Sequence, residues 1–375
     1  MDRLSLEPRR DWQKRVEDYG LLFHTPKGEP YWDESACYQF RRAEIDKIEA
    51  ATQELHEMCL AVIDAVIRQQ RLGLFLVPPE FEELVIRSWQ AREPSIYGRF
   101  DLAYTGSGAP VLLEYNADTP TALVEAAVAQ WFWLKDLDEQ GDQYNSIHER
   151  LIEAWQKLRQ IDPRPIHFAA MSGIVEDYIT VEYLRDTAMQ AGFETQYLDV
   201  EQIGWDGRHG RFVDLQGRPI ERLFKLYPWE WLIREDFGPH ILRAPTRWVE
   251  PPWKMLLSCK SLLPLLHEKF PDSPYILPAA FEPIPGDYVR KPIHAREGSN
   301  IQVVVGGRVV FETPGPYTEG PFIYQQLAPL KKFDGRYPIL GSWVVDGVAC
   351  GLGIREDDTI ITHNTSRFVP HQMID

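Results

Sequence analysis

Two carboxylates, a carboxamide and a guanidinium stand at spacings that would gather them into one patch. The segments Gly98-Arg99-Phe100-Asp101-Leu102-Ala103-Tyr104 and Val111-Leu112-Leu113-Glu114-Tyr115-Asn116 flank the stretch Thr-Gly-Ser-Gly-Ala-Pro. Two alternating runs around such a turn-rich stretch predict a hairpin. With residues 105–110 as the loop, Tyr104 faces Val111, Leu102 faces Leu113 and Phe100 faces Tyr115 on one apolar face. The other face sets Asp101 opposite Glu114 and Arg99 opposite Asn116. Directly opposed side chains have Cβ atoms about 4.5–5.5 Å apart, so the two carboxylates repel unless a cation lies between them. Carboxylate and amide oxygens are hard donors that suit Mg²⁺. With no histidine or cysteine in the set, zinc is disfavoured. Arg99 alongside suits an anionic substrate or a phosphate. The competing reading is a solvated hairpin face whose charges are incidental.

A second segment has the chemistry for phosphate. Val289-Arg290-Lys291-Pro292 reads as a strand ending in a lysine, followed by the small polar loop Ile293-His294-Ala295-Arg296-Glu297-Gly298-Ser299-Asn300 and a further strand from Ile301. Such a loop can fold over phosphates, with backbone N–H groups as donors and the lysine as a point charge. The same composition also fits an ordinary hairpin loop. No G-x-x-x-x-G-K-[ST] sequence is present and no G-x-G-x-x-G follows a strand, so the common doubly wound nucleotide sites lack support.

These segments need a scaffold, and the chain is long enough for one. Its 375 residues suit two or three packed subdomains. With 40 basic and 56 acidic residues the net charge is −16, which argues against a nucleic-acid partner. The four cysteines, Cys37, Cys59, Cys259 and Cys350, are scattered without zinc-like spacing and read as reduced thiols. Residues Met1 to Arg10 carry no apolar signal segment, and the apolar stretch near Leu60–Ile67 is broken by Asp64. Nothing approaches the ~20 apolar residues of a membrane span. The expectation is a cytoplasmic protein with neither membrane nor nucleic-acid partner, monomeric or homodimeric.

Helical spacing of Ile48, Leu55, Cys59, Val62, Ile63 and Val66 predicts a long amphipathic helix over 45–71. Pro78 and Pro79 open a second one. A helix is expected over 121–134, and another from Ser146, with Glu149 completing a capping box. Residues 166–227 alternate strand, helix, strand, strand, as an α/β unit. A proline- and tryptophan-rich linker is expected over 244–253. Beyond a helix near 261–270 the chain becomes mostly strand, at 288–291, 301–305, 308–312, 322–326, 342–345, 348–355 and 359–362. Asp346-Gly347 is a strong two-residue hairpin signal.

Taken together, these motifs resemble a known family. Arg99-Phe100-Asp101 followed by Glu114-Tyr115-Asn116-Ala117-Asp118 looks like the metal-site hairpin of glutathionylspermidine synthase synthetase domains. Lys291-Pro292-Ile293, Arg296 and Gly298-Ser299-Asn300 resemble their phosphate loop, and Ile323-Tyr324-Gln325-Gln326-Leu327 their adenine-binding strand. The similarity is greatest to stand-alone bacterial proteins provisionally named acid–amine ligases, and the amidase domain of bifunctional members is missing from this chain.

The resemblance implies a mixed α+β and α/β chain with an ATP-grasp fold. Residues 1–165 would be a helical N-terminal region carrying the hairpin (98–116), 166–250 a pre-ATP-grasp-like α/β domain, and 251–375 the nucleotide-binding region. It implies Mg²⁺ on Asp101, Glu114 and Asn116. It implies ATP on Arg99, Lys260, Lys291, Glu297, Gly298, Gln325, Gln326, Leu327, Ala328 and Ile360. The acid substrate would meet Arg99, Thr119 and Thr121, and Arg355 would stabilise the transition state beside Arg99. Glu176 and Asp177 would face a cationic amine, although acids before a helix also stabilise its N-terminus. The implied reaction joins a carboxylate to an amine through an acyl phosphate, and the resemblance points to a glutathione-like peptide as the acid and a polyamine as the amine. Near Arg367 the glutathionylspermidine-forming enzymes carry an acidic residue, so this chain departs from the pattern where the polyamine would be contacted. Two other classes are a metal-dependent hydrolase that does not use ATP, and a non-catalytic nucleotide- or peptide-binding relative.

Overall fold

The computed structural model describes residues 1–374. Its frame is a five-stranded antiparallel sheet. The strands run in the order Arg367–Phe368, Val348–Asp357, Tyr337–Val345, Tyr97–Ala103 and Val111–Asn116. The hairpin is thus joined to strands 230 or more residues further along. The turn Asp346-Gly347 forms as expected, both residues adopting positive φ (49° and 77°), which a two-residue turn with matching twist requires.

The predicted hairpin register holds at Arg99–Asn116, Phe100–Tyr115 and Asp101–Glu114 and then fails. A bulge between Asp101 and Leu102 makes Leu102 face Leu112 and Ala103 face Val111. Leu113 is the extra residue, and Tyr104 pairs with nothing in the ladder. A bulge resets the alternation while keeping Leu102 and Leu112 both buried, and alternation alone cannot announce it.

The helix Arg42–Arg68 lies along this sheet. Its buried residues Ile48, Leu55, Cys59, Val62, Ile63 and Val66 form the stripe that the spacing predicts. Thr52 Oγ1 meets Ser342 Oγ of the sheet at 2.7 Å. Pro79–Gln90 is the second helix. The helix from Ile147 does form, but without the capping box. Ser146 makes no side-chain cap and its hydroxyl donates to the Cys350 carbonyl (3.2 Å) instead.

A four-stranded parallel sheet, in the order Arg247–Val249, Arg222–Leu226, Ile166–Ala170, Thr195–Asp199, carries the helices Ile147–Ile161 and Val175–Gln190. Strands Ile166–Ala170 and Arg222–Leu226 are buried throughout, as parallel strands covered on both faces are. The expected linker over 244–253 is corrected here. Arg247–Val249 extends this sheet and Trp248 and Trp253 are buried, so the aromatic content reflects packing rather than a tether.

A second five-stranded sheet orders Ala279–Ala280, Phe322–Gln326, Tyr288–Pro292, Gln302–Val305 and Arg308–Glu312. Residues 359–362 do not form the expected strand. The Thr359 hydroxyl bonds the Ile361 carbonyl (2.8 Å), which folds the segment onto itself. The strands Asp2–Ser5, Ala36–Arg41 and His371–Ile374 make a three-stranded sheet that the sequence pattern did not suggest. All four cysteines are buried free thiols. Among the described residues no helix is long and apolar enough to cross a membrane.

Candidate active site

A cavity of ≈ 210 Å³ opens where the hairpin, the parallel sheet and the loop after Pro292 meet. Of the residues singled out in the sequence, Arg99, Glu114, Asn116, Thr119, Thr121, Glu176, Asp177, Lys260, Glu297, Gly298 and Arg355 line it. Asp101 and Lys291 lie just behind its wall, buried. Gln325, Gln326, Leu327, Ala328 and Ile360 do not line it. Gln325 and Gln326 end a strand of the neighbouring sheet, Leu327 and Ala328 follow it, and Leu327 and Ile360 pack in one apolar cluster with Val289 and Val303. Lys291 links the two regions, donating to Leu113 O at 3.0 Å and to the buried Gln325 Oε1 at 2.7 Å.

One end of the cavity is a lattice of cations around the opposed carboxylates. Arg99 Nε donates to Asp101 Oδ1 (2.7 Å) and Arg355 Nη2 to Asp101 Oδ2 (3.0 Å). Lys260 Nζ lies 3.0 Å from Glu114 Oε2 and also donates to Ala295 O (2.6 Å). Arg99 can lie flat here because Gly341 sits opposite Asp101, where a Cβ would come within 2.9 Å of Arg99 Cδ. Burial opposes ionisation of Glu114, but Lys260, Lys291 and Arg99 outweigh it and hold the carboxyl down at about 2. Burial, with Lys260 adding to it against the pull of Glu114, brings Lys291 down to about 8.

The repulsion inferred from the sequence is therefore offset by protein cations as they stand. The donor set still fits Mg²⁺. Two carboxylates and the Asn116 amide, whose Oδ1 meets only a long contact from Thr119 N–H (3.4 Å), are hard oxygens on one hairpin face. Among the described residues no three His, Cys, Asp or Glu side chains are placed to hold a metal. A cation here would need the amide and oxygens from a ligand, which is how Mg²⁺ is commonly held in phosphate sites.

The other end is acidic. Glu176 and Asp177 occupy the first turn of the helix Val175–Gln190. Burial, then the charges of Glu176 and Glu297, push Asp177 up to about 7. Glu297 is raised by burial and by Glu176. Glu297 and Gly298 both have positive φ (53° and 69°), and a Cβ at 298 would stand 2.5 Å from Thr362 O, so only glycine fits there.

Arg296 and Glu230, neither given a role by the motif reading, close a ring between the two ends. Arg296 donates to Glu230 Oε1 through Nη2 (2.6 Å) and Nε (3.1 Å), and to Thr119 Oγ1 through Nη1 (2.8 Å). Glu230 follows Trp229, whose backbone N–H donates to Asp118 Oδ2 (2.8 Å), while Lys225 Nζ donates to Asp118 Oδ1 (2.6 Å). Asp118 adjoins Thr119, so the polar loop, the parallel sheet and the hairpin exit are tied together. Trp229 is fully buried, as packing rather than as site. The signal for Glu230 was present, an acid between two aromatic residues, but nothing in the sequence linked it to Arg296. Arg367 does not line the cavity and points its guanidinium at Asp33 (4.0 Å).

Known proteins similar to this chain were found by sequence and by structure. A Haemophilus influenzae protein carrying the provisional name acid–amine ligase is 44% identical, covering 100% of both chains. The bifunctional glutathionylspermidine synthetase/amidase of Escherichia coli is 31% identical over 85% of this chain and 56% of its own. Trypanothione synthetase of Crithidia fasciculata is 30% identical over 84% of this chain and 53% of its own. The chain thus spans about half the length of these two larger relatives. A glutathione synthetase like-effector from Globodera pallida, solved in apoform, superposes with a TM-score of 0.59 over 97% of this chain and 96% of its own, at 10% identity. The fold is accordingly of the ATP-grasp type, with mixed helices and sheets. The family model described as glutathionylspermidine synthase preATP-grasp matches residues 3–374, and the chain belongs to that family.

Proposed function

We propose that this chain is a cytoplasmic, ATP- and Mg²⁺-dependent ligase that joins a carboxylate to an amine through an acyl phosphate. The observation that carries the reading is a single cavity with a cationic end at Arg99, Arg355 and Lys260 and an acidic end at Glu176, Asp177 and Glu297. A carboxylate and a phosphate suit the first end, and a protonated amine suits the second.

In this reading Arg99 and Lys260 hold the acid's carboxylate and the transferring phosphoryl group in line, since phosphoryl transfer depends mainly on positioning and charge. Asp101, Glu114 and Asn116 would hold Mg²⁺, which would offset phosphate charge when bound. Arg355 faces the charge that develops when the amine attacks the acyl carbon. The loop 294–300 covers the site and keeps water from hydrolysing the anhydride. Gln325, Gln326, Leu327, Ala328 and Ile360 would form the adenine side, with Lys291 reaching from it towards the phosphates. The names of the relatives suggest a glutathione-like acid and a polyamine; Arg367, outside the cavity and facing Asp33, carries no information about the amine.

The test is ADP release from MgATP across a matrix of peptide acids and amines. Release that requires both partners supports the ligase. Metal-dependent activity indifferent to nucleotide would favour a hydrolase. MgATP binding without ADP release under any pair would leave a non-catalytic relative.

A further inference from the structure

The place that the Arg296 guanidinium occupies is built to hold a cation. Its Nη2 and Nε both donate to one oxygen of Glu230, Oε1, at 2.6 and 3.1 Å. Its Nη1 donates to Thr119 Oγ1 at 2.8 Å. The guanidinium carbon stands 5.7 Å from the centroid of the Trp231 ring, within the range at which an indole face attracts a positive charge. Tyr227 steadies that ring edge-on, with centroids 5.7 Å apart and planes at 70°. A carboxylate, an indole face and a hydroxyl thus surround one position, and Thr119, Glu230 and Trp231 all line the cavity. Trp231 is 36% exposed, so its ring is open to a ligand. Burial opposes the charge on Glu230, but Arg296 and His294 outweigh it and keep the carboxyl below its ordinary range.

The walls of this position belong to the frame, and its occupant belongs to a loop. Glu230 and Trp231 sit in the short helix Trp229–Leu232, whose leading N–H donates to the buried Asp118 at 2.8 Å. Arg296 comes from the loop that follows the strand Tyr288–Pro292. It already reaches towards the other end of the cavity, because the backbone N–H of its partner Thr119 lies 3.4 Å from Asn116 Oδ1 on the hairpin. Of the three acids Glu176, Asp177 and Glu230 that line the cavity, only Glu230 is ion-paired among the described residues.

We propose that Glu230 and Trp231 form a subsite for an organic cation on an alkyl stem, an ammonium or a guanidinium, and that Arg296 keeps this subsite filled until the amine substrate takes it over. This rests on the ligase reading. When the acid's carboxylate and the phosphate enter beside Thr119, Arg296 keeps its bond to Thr119 and turns its remaining N–H groups to those anions, since a guanidinium has donors to spare. Glu230 is then a largely buried charge without a cation, and the positive head of the amine restores the pair against the Trp231 face. An amine that arrives first meets Arg296 in its place and is repelled. Acid and amine therefore strengthen each other's binding, a coupling that is reciprocal.

Arg296→Ala empties the subsite and leaves its walls intact. The probes are n-butylguanidinium and n-butylammonium, which copy the stem and head of a basic side chain. The indole N–H of Trp231, assigned with Trp231→Phe, reports their binding by nitrogen-15 NMR. Arg296→Ala should bind the better probe on the order of tenfold more tightly than wild type, with the Trp231 signal moving, and Arg296→Ala/Glu230→Gln should lose that gain. The tighter probe identifies the head group that the subsite takes. Equal binding by wild type and Arg296→Ala, or a Trp231 signal unmoved at saturation, overturns the proposal. Should Arg296→Ala not fold, Arg296→Gln, which keeps a neutral polar stem, is judged by the same comparison. Turnover is read separately, with glutathione and spermidine as probe acid and amine. Glu230→Gln should raise the KM for spermidine on the order of tenfold and that for glutathione less than about threefold. An unchanged KM for spermidine overturns the subsite and leaves the ligase reading standing. No ADP from any acid–amine pair defeats the ligase reading, and the probe titrations then decide the cation subsite by themselves.

Discussion

Arg355 Nη2 donates to Asp101 Oδ2 at 3.0 Å, joining a residue of the cavity wall to one buried behind it, 254 positions earlier. The strand Tyr337–Val345 lies between their two strands, so the contact reaches across the sheet rather than along it. Removing the guanidinium leaves Asp101 its bonds to Arg99. Arg355→Ala should therefore retain the thermal shift with MgATP while losing turnover by a factor on the order of 10². Unchanged turnover in a steady-state ADP assay would take Arg355 out of the proposed role.

Glu114 and Asp101 sit among four cations in the ligand-free protein, so neutralising them should leave an uncompensated positive cluster rather than relieve repulsion. Wild type at ~100 times the Kd for MgATP should gain ~2.7 kcal/mol, read as a shift of several degrees in Tm. Asp101→Asn/Glu114→Gln should show no Mg²⁺-dependent part of that shift. A double variant that responds to MgATP like wild type would remove these two residues as metal ligands.

The raised carboxyls give a pH dependence whose sign is fixed. Burial, with the charge of Glu176 adding to it, pushes the fully buried Glu125 of the turn Glu125–Ala129 up to about 7, above the ordinary glutamate value of about 4.3. Between those values the folded state binds more protons than the unfolded one, so this group's contribution falls as pH rises through the window. Glu125→Gln should accordingly stabilise the protein at about pH 8, by on the order of 1–3 kcal/mol, and give no gain near pH 4. Thermal melts at the two pH values check this.

Asp118 and Lys225 are both fully buried, and each Asp118 oxygen has a single strong donor. Asp118→Ala strands a buried ammonium and should cost about 3–5 kcal/mol, measured by urea unfolding. A loss below about 1 kcal/mol would show that water reaches Lys225.

The Arg296 guanidinium ties its loop to the parallel sheet and the hairpin exit through the side chains of Glu230 and Thr119. Glu230→Gln should weaken that hold without emptying the cavity. Faster amide exchange over 294–300 in hydrogen–deuterium exchange is the expected outcome, with protection elsewhere unaltered. Exchange unchanged in the loop would mean that the Gly298 turn, not Arg296, fixes it.

The hairpin's chemistry was legible because alternation, turn composition and like-charge pairing are all local properties. Asp101 opposite Glu114 comes out of the count because two departures cancel, Tyr104 leaving the ladder at the turn and Leu113 bulging before Glu114. The bulge, the strand Arg247–Val249 and the sheet joining residues 2–5 to 371–374 were not legible. The sheet joining residues 2–5 to 371–374 depends on a pairing across the length of the chain, Arg247–Val249 on a place beside Arg222–Leu226 that buries Trp248, and the bulge on packing that tolerates one extra residue. Glu230 and Glu125 were missed for the same reason, since a single acid in an apolar segment gives no sign of what it meets, and Asp118 was read only as the end of the hairpin motif, without its partner Lys225. Lys260 carried little local signal and entered only through family resemblance, although the structure sets it 3.0 Å from Glu114.

The bulge at Leu113 has a consequence for the lengths this hairpin can adopt. The carbonyls of Leu112 and Leu113 accept from Gln325 Nε2 (2.9 Å) and Lys291 Nζ (3.0 Å) of the neighbouring sheet. Deleting Leu113 would restore a regular ladder, yet it would take away one of these two acceptors and the seam between the sheets would lose its footing. Extra residues at the exposed tip, Ser107-Gly108, would change neither the carbonyls nor the Asp101–Glu114 pairing. Within one short hairpin, the arm nearest the chemistry is fixed in length to the single residue, while its far end is free to grow.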